Sequence, residues 1–353
     1  MKHVTLFFYH KDCTTTSHRF EKYQDLPTRG ALDVEQFRIN GGLFLAFANN
    51  NGDSEGFKTD SFIYKLNDST GKFSLYQTIA TAGALDIEYF MIADKHYLAI
   101  ANYLVGANSA IYQWNGHQFV AFQSISTNGA TSFKFFKISQ ELFIAATNVF
   151  ANSAIYKWIG NQFEKFQEIG TKGITKSTAF VVNSETFLAF SNIRFPSTVF
   201  KWSGNGFVKL QSVHMHGAKD VKSFNIDGDT FLAFANWIDK NLNTDSFIYK
   251  WNGSKFVLFQ SIPTHGAYAW HPFVMCGQTF LGVANQVDDS LRFNIKSVIY
   301  LYVGEQFIQY QEISTQGAAD MTTFEFEGHT YLAIANSMKS GGYNINSTLY
   351  KWI

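Results

Sequence analysis

The sequence has no excess of charge of either sign and no long apolar run. Lysine and arginine together number 28, as do aspartate and glutamate, so the chain has no net positive charge to attract nucleic acid or an anionic membrane. No apolar run approaches the roughly 18 residues that a membrane-spanning helix requires. We therefore expect neither nucleic acid binding nor insertion into a membrane.

Cysteine is nearly absent. Cys13 and Cys276 are too few for a disulfide framework, and we interpret them as reduced thiols, as in the cytoplasm. The apolar stretch at residues 4–9 is shorter than the apolar region of a signal peptide. The sequence itself therefore indicates a soluble cytoplasmic protein without an evident export signal.

What the sequence does contain is an internal repeat. A glycine recurs seven times at intervals of 44 to 53 residues, and a phenylalanine stands seven residues after each of these glycines. Each unit continues with a run such as Phe-Leu-Ala-Phe-Ala-Asn, then a serine with an aromatic residue three positions later, then a phenylalanine with a glutamine four positions later. The repeat glycines are Gly30, Gly83, Gly129, Gly173, Gly217, Gly266 and Gly317.

These four short β-branched and aromatic runs predict four strands per unit, which we name A, B, C and D. A four-stranded unit repeated seven times predicts an all-β, seven-bladed β-propeller with antiparallel blades, because blades close radially and leave few open edges. The last unit stops at its third strand, whereas a fourth-strand pattern, Phe20 to Gln24, precedes the first glycine. We expect this N-terminal strand to complete the last blade, with a propeller over residues 18–353 and an extension over residues 1–17.

The recurring Gly-Ala-x-Asp, Phe-Leu-Ala-x-Ala-Asn and Ser-x-Ile-Tyr-Lys-Trp runs resemble the epilepsy-associated repeat, also called the EAR, epitempin or EPTP repeat. The resemblance covers essentially the whole chain. It implies a β-propeller that acts as an extracellular protein-binding module, as in the leucine-rich glioma-inactivated proteins. The compartment implied by the resemblance thus differs from the one indicated by the sequence itself.

Residues that break the repeat mark a candidate ligand site. The asparagines and serines that flank the B–C connection recur in every unit and are interpreted as scaffold. Trp237 and Trp270 have no equivalents in other units and should lie on neighbouring blades, on the face formed by the D–A and B–C connections. Near them in the sequence are four further candidates, Tyr268, His216, His265 and His271.

Loop length favours the same sector of the ring. From repeat asparagine to repeat serine the separations are 12, 7, 5, 5, 10, 12 and 11 residues in units 1 to 7. The long B–C loops therefore belong to the contiguous blades 5, 6, 7 and 1. Long loops on a rigid scaffold often carry binding specificity, so we expect them to form a crescent-shaped wall.

A cation site is a further hypothesis. Asp320, Asp33 and Asp86 stand three residues after the glycines of consecutive units 7, 1 and 2. Crowded carboxylates favour a bound hard cation such as Ca²⁺. The resemblance also implies a calcium ion in the central channel, bound by aspartates at positions such as these.

Three functions remain open on the sequence. A non-enzymatic scaffold for a protein partner is favoured, because no catalytic triad, phosphate loop or metalloprotease-type histidine pair is visible. A glycan-binding lectin is the second hypothesis, since exposed Trp and Tyr can stack on sugar rings. The third is a metal- or His-assisted enzyme that uses His214, His216, His265 and His271.

Overall fold

The computed structural model describes residues 18–170, 172–215 and 217–353, which form seven four-stranded antiparallel sheets. Each innermost strand packs against the innermost strands of both neighbouring blades, and the first and last blades meet in the same way. The sheets therefore close into a ring, which confirms the predicted seven-bladed β-propeller. The extension predicted for residues 1–17 lies outside the described residues.

The strands run outward from the channel in chain order within each of the first six blades. Blades 1 to 3 contain β2 (Ala31–Ile39), β3 (Gly42–Asn49), β4 (Asp60–Asn67), β5 (Lys72–Ala80), β6 (Ala84–Ile92), β7 (Lys95–Asn102), β8 (Ser109–Trp114), β9 (Phe119–Ile125), β10 (Ala130–Ile138), β11 (Glu141–Asn148), β12 (Ser153–Trp158) and β13 (Phe163–Ile169). Blades 4 to 6 contain β14 (Ile174–Val182), β15 (Glu185–Asn192), β16 (Ser197–Trp202), β17 (Phe207–Val213), β18 (Ala218–Ile226), β19 (Asp229–Asn236), β20 (Asn243–Trp251), β21 (Phe256–His265), β22 (Ala267–Met275), β23 (Gln278–Asn285), β24 (Asn294–Val303) and β25 (Gln306–Gln316).

Blade 7 joins the two ends of the chain, as predicted. Its inner strands are β26 (Ala318–Phe326), β27 (His329–Asn336) and β28 (Asn346–Trp352), and its outer strand is β1 (Phe20–Pro27). The β1 strand pairs antiparallel with β28, from Phe20 opposite Trp352 to Pro27 opposite Asn346. Strand exchange between the termini thus completes the ring.

The phenylalanine seven residues after each repeat glycine ties neighbouring blades together. In blade 1, Phe37 stacks on Phe44 of the adjacent strand, with ring centroids 5.4 Å apart, and meets Phe119 of blade 2 edge-on at 5.8 Å. The same pair of contacts recurs around the ring, ending with Phe324 against Phe73 of blade 1. The invariance of this residue within the sequence therefore reflects inter-blade packing.

The Phe and Gln of the outer strands form a second ring of inter-blade contacts. The Gln77 side chain of blade 1 donates to the Phe119 carbonyl of blade 2 and accepts a hydrogen bond from the Phe119 amide. This two-way bond occurs at all seven junctions, with Gln24, Gln77, Gln123, Gln167, Gln211, Gln260 and Gln311. Because β1 supplies both Gln24 and Phe20, it takes part in two of the seven junctions.

The repeat asparagine, serine and glycine hold the loops of one face. The amide of each repeat asparagine donates to the hydroxyl of the serine in the next strand, as from Asn49 to Ser61 Oγ. Gly217 has a left-handed φ of 71°, and a Cβ there would lie 1.6 Å from the Ile238 carbonyl oxygen. These recurring residues therefore form the scaffold, as the sequence indicated.

One sequence interpretation is wrong. Cys276 is disulfide-bonded, so it is not the reduced thiol that the scarcity of cysteine suggested. In the described part of the chain, no helix is long and apolar enough to cross a membrane.

Candidate functional site

The D–A turns and B–C loops meet on one face, where they surround the mouth of the central channel. In blade 1 the Asn50 amide, which opens the B–C loop, donates to the carbonyl of Gly30 in the D–A turn. A cavity of 380 Å³ occupies the mouth. Its lining comes mainly from the residue two positions after the repeat glycine in blades 1 to 6 and the residue after the repeat asparagine in blades 1 to 4.

Aromatic rings from blades 1 to 3 form a row at one side of this mouth, which Phe57 and Tyr103 line directly. The Tyr103 ring lies between those of Phe57 and Phe150, at centroid distances of 6.4 and 5.6 Å. Phe57 and Phe150 remain 39% and 38% exposed, although each packs against a repeat glycine. Val149 and Ile193 continue the apolar lining into blades 3 and 4.

The opposite side of the mouth presents a lysine between two aromatic rings. Lys219 Nζ lies 5.2 Å from the Trp237 ring centroid and 5.0 Å from that of Tyr268. Burial lowers the pKa of Lys219 to about 8. Burial also raises the pKa of Tyr268 to about 12, so this hydroxyl stays protonated. The structure therefore brings together two of the predicted site residues, Trp237 and Tyr268, around a lysine that the sequence did not single out.

The long loops form a continuous wall beside the mouth. Asp289 of blade 6 accepts hydrogen bonds from the Leu242 and Asn243 amides of blade 5. Asp53 of blade 1 similarly accepts hydrogen bonds from the amides of Tyr343 and Asn344 in blade 7.

Side chains also connect blades 5, 6 and 7. The Trp237 indole donates to Gln286 of blade 6, whose side-chain amide donates to Ser337 of blade 7. The loops of blades 5, 6, 7 and 1 are thus joined in the order that their lengths suggested.

Trp270 does not belong to the mouth, contrary to the predicted patch of two tryptophans. Its side chain is fully buried between blades 5 and 6 and packs near Tyr300. The residue four positions after each repeat glycine points into the core in most blades, as Val34, Ile87 and Val221 do. The repeat itself therefore carried the signal that Trp270 is a core residue.

Two of the predicted histidines, His265 and His271, have separate hydrogen-bond partners. His265 is exposed and its Nδ1 lies 2.7 Å from the Asn243 side-chain oxygen. His271 Nε2 accepts a hydrogen bond from the Thr323 amide, and burial lowers the pKa of His271 to about 3. His216 lies outside the described residues, within which no three His, Cys, Asp or Glu side chains form a metal-binding group.

The three predicted metal-binding aspartates are buried and connect neighbouring inner strands. Asp33 accepts a hydrogen bond from the Ile87 amide of the next blade at 3.0 Å, and Asp86 accepts one from Phe133 at 2.8 Å. Asp320 does the same with the Val34 amide at 3.2 Å. One carboxylate oxygen of each aspartate is therefore engaged in closing the inner ring.

A lysine ammonium lies where the hypothesis placed a cation. Lys176 Nζ is 2.9 Å from Asp33 Oδ1 and also forms an ion pair with Asp86 Oδ1. These carboxylates hold the pKa of Lys176 well above its usual value despite burial, while burial raises the pKa of Asp86 to about 6. The arrangement does not fit a divalent ion at Asp33 and Asp86, because an ammonium already pairs with the oxygens that such an ion would need. Calcium binding by the three aspartates remains an untested prediction of the sequence, and the position of Lys176 favours its ammonium as the counter-charge of Asp33 and Asp86.

Comparison with known proteins agrees with the repeat architecture. The EPTP domain model matches seven segments, residues 19–67, 72–115, 118–159, 162–203, 206–252, 255–303 and 306–353. Each segment begins with the outer strand of one blade and continues with the three inner strands of the next. The sequence repeat is therefore offset by one strand from the blade, which is why the termini share blade 7.

Curated relatives share parts of this chain. The human thrombospondin-type laminin G domain and EAR repeat-containing protein is 39% identical over 141 residues, which are 38% of this chain and 21% of that protein. The mouse leucine-rich repeat LGI family member 2 is 29% identical over 121 residues, 33% of this chain and 20% of that protein. The matched regions span about a fifth of these relatives. Because the EPTP model matches nearly the whole sequence in seven repeats, this chain belongs to the EPTP, or EAR-repeat, family of β-propellers.

Proposed function

We propose that this propeller is a protein-interaction scaffold and that its partner docks on the channel mouth. The observation that carries the proposal is a set of exposed apolar side chains on the B–C loops of blades 1 to 4, next to a 380 Å³ cavity that Phe57 and Tyr103 line. A patch of this kind on a rigid scaffold is typical of protein recognition. The exposed residues are Phe57, Val105, Phe150 and Phe195.

The loop wall gives the proposed site an asymmetric shape. Blades 5, 6, 7 and 1 carry the long, hydrogen-bonded loops, whereas the separations from repeat asparagine to repeat serine in blades 2 to 4 are 7, 5 and 5 residues. A partner would therefore approach over the low side and insert side chains into the mouth against the wall. Backbone ladders below the loops keep the mouth preformed, which lowers the entropic cost of binding.

Two observations bear on the lectin hypothesis and on where the partner is found. A lectin that stacks sugars on Trp237 and Trp270 loses one of its rings, because Trp270 is fully buried. Cys276 is disulfide-bonded, which is typical of proteins in oxidising compartments, so we propose an extracellular partner. A glycan array and a panel of purified extracellular ectodomains, each probed with the labelled propeller, distinguish sugar from protein recognition.

A matched pair of variants tests the proposed face. Phe150 on a B–C loop and Phe166 on the outer strand of the same blade are 38% and 36% exposed, and both contact neighbouring aromatic rings. We expect Phe150→Ala to weaken partner binding by at least about 2 kcal/mol, as for a central interface aromatic. Phe166→Ala is the control. It should lower the free energy of unfolding about as much as Phe150→Ala does, but it should leave partner binding unchanged. Equal effects of both variants on binding, measured by biolayer interferometry, would contradict the proposed face.

A further inference from the structure

The mouth has an electrostatic character that its apolar lining does not explain. Three cationic side chains line it, Lys176, Arg194 and Lys219, and no lining residue in the described part of the chain is acidic. The whole chain has equal numbers of acidic and basic residues, so this local excess is not a consequence of composition. A ligand that complements the mouth therefore combines apolar surface with negative charge.

The three cations differ in how their charge is compensated. Lys176 points toward the channel, where Asp33 and Asp86 neutralise it. Arg194 is exposed at the rim, where water solvates its guanidinium group. Lys219 is partly buried, and its pKa is lowered by burial with no opposing contribution from an acidic group of the described residues.

The surroundings of Lys219 hold its ammonium in place without neutralising it. The faces of Trp237 and Tyr268 attract a cation but carry no net charge. Trp237 is itself fixed, because its indole donates to Gln286 in the loop wall. The site thus keeps a positioned ammonium that has paid part of its desolvation cost before a ligand arrives.

We propose that Lys219 is the anchor for a carboxylate of the protein partner, an acidic side chain or a free C-terminus that enters the mouth beside an aromatic or aliphatic residue. This inference rests on the proposed function and names the chemical class that the mouth selects. A carboxylate restores the charge balance of Lys219, while Tyr103 and Phe150 accept the apolar neighbour. At pH 7 most of the ammonium is charged, and the charge is lost as pH rises through about 8.

The test uses two small probes that differ in one charge, N-acetylphenylalanine and N-acetylphenylalaninamide. The indole ¹⁵N–H signal of Trp237, identified from its loss in Trp237→Phe, reports binding next to Lys219. We expect the acid to bind at least tenfold more tightly than the amide, with the preference declining as pH rises above about 8. Inorganic phosphate is titrated in a third experiment and should bind more weakly than the acid.

Variants of Lys219 separate charge recognition from loss of structure. Lys219→Met should abolish the preference for the acid and leave the affinity for the amide unchanged, whereas Lys219→Arg should retain the preference. The six other indole signals serve as the control that each variant is folded. Preference retained in Lys219→Met overturns the proposal, as do equal binding of acid and amide, tighter binding of phosphate, and no shift by either probe at millimolar concentration.

This test can fail independently of the proposed function. Probes that show no charge preference, together with a partner that is lost in Phe150→Ala, would leave the docking face intact and remove the carboxylate anchor. The opposite outcome is also possible. If the probes show a clear preference for the acid but Phe150→Ala does not affect binding of a protein partner, the docking proposal is wrong and the carboxylate anchor stands.

Discussion

Deletion of residues 1–27 should abolish cooperative folding. The deletion removes β1, and with it the entire pairing with β28 and the bonds of Gln24 and Gln311 that connect blade 7 to both neighbours. Phe20 and Leu26, which are 3% and 1% exposed, leave the core at the same time. Each large buried side chain contributes about 2 to 5 kcal/mol, and a domain's total stability is about 5 to 15 kcal/mol. We expect no cooperative transition in thermal unfolding.

A circular permutant provides the control for that deletion. The amide and carbonyl of Arg19 exchange hydrogen bonds with those of Ile353, so the two ends of blade 7 are adjacent. Moving residues 18–27 behind Ile353 through a short turn would make β1 the fourth strand of an uninterrupted blade. This permutant should melt as a single cooperative unit. A deletion variant that melts like the full chain would show that strand exchange does not hold the ring closed.

Replacement of Lys176 by Met should cost about 3 to 5 kcal/mol, because it leaves Asp33 and Asp86 buried without their counter-charge. The loss should grow with pH. Burial raises the pKa of Asp86 to about 6 even with Lys176 present, and loss of the ammonium should raise it further. The destabilisation should therefore begin as pH rises above the unfolded-state pKa of about 4 and grow until the folded-state carboxyl ionises, above pH 6. Urea unfolding at pH 5 and pH 8 measures the difference.

A triple variant and a surface control separate the effect of the buried charges from that of losing any ion pair. Adding Asp33→Asn and Asp86→Asn to Lys176→Met should recover much of the loss, since the amide oxygens still accept the Ile87 and Phe133 amides. Lys165→Met removes an exposed ion pair with Glu168 and should change stability by less than about 0.5 kcal/mol. A calcium chelator should leave the parent protein's unfolding unchanged, whereas Lys176→Met should become calcium-responsive. Strong calcium stabilisation of the parent would contradict the internal ammonium as the channel cation.

The repeat made the scaffold predictable from sequence, because each recurring residue has a recurring contact. Phe37 and its equivalents pack between blades, Gln77 and its equivalents bridge backbones, and Asn49 and its equivalents close loops. The last unit lacks a fourth strand, and this absence likewise predicted that β1 completes its blade. These features depend on the repeated sequence pattern and on the need to close the ring, and a single sequence is enough to show both.

The site was less predictable because its side chains occupy repeat positions without an invariant residue. Tyr103 and Val149 both follow the repeat asparagine and line the mouth, yet they differ in chemistry. Trp270 was rare in the sequence but occupies a core position, so rarity alone was misleading. Lys176 stands three residues after its repeat glycine, as Asp33 and Asp86 do, but only the geometry shows that it pairs with them across the channel.

Photo-crosslinking of the propeller to its partner tests the channel-mouth proposal most directly. A benzophenone side chain would replace Tyr103 at the mouth or Val274, which is 67% exposed on the innermost strand of blade 6 near the opposite face. We expect the partner to crosslink at position 103 and not at position 274. Crosslinking at position 274 with none at position 103 would contradict it.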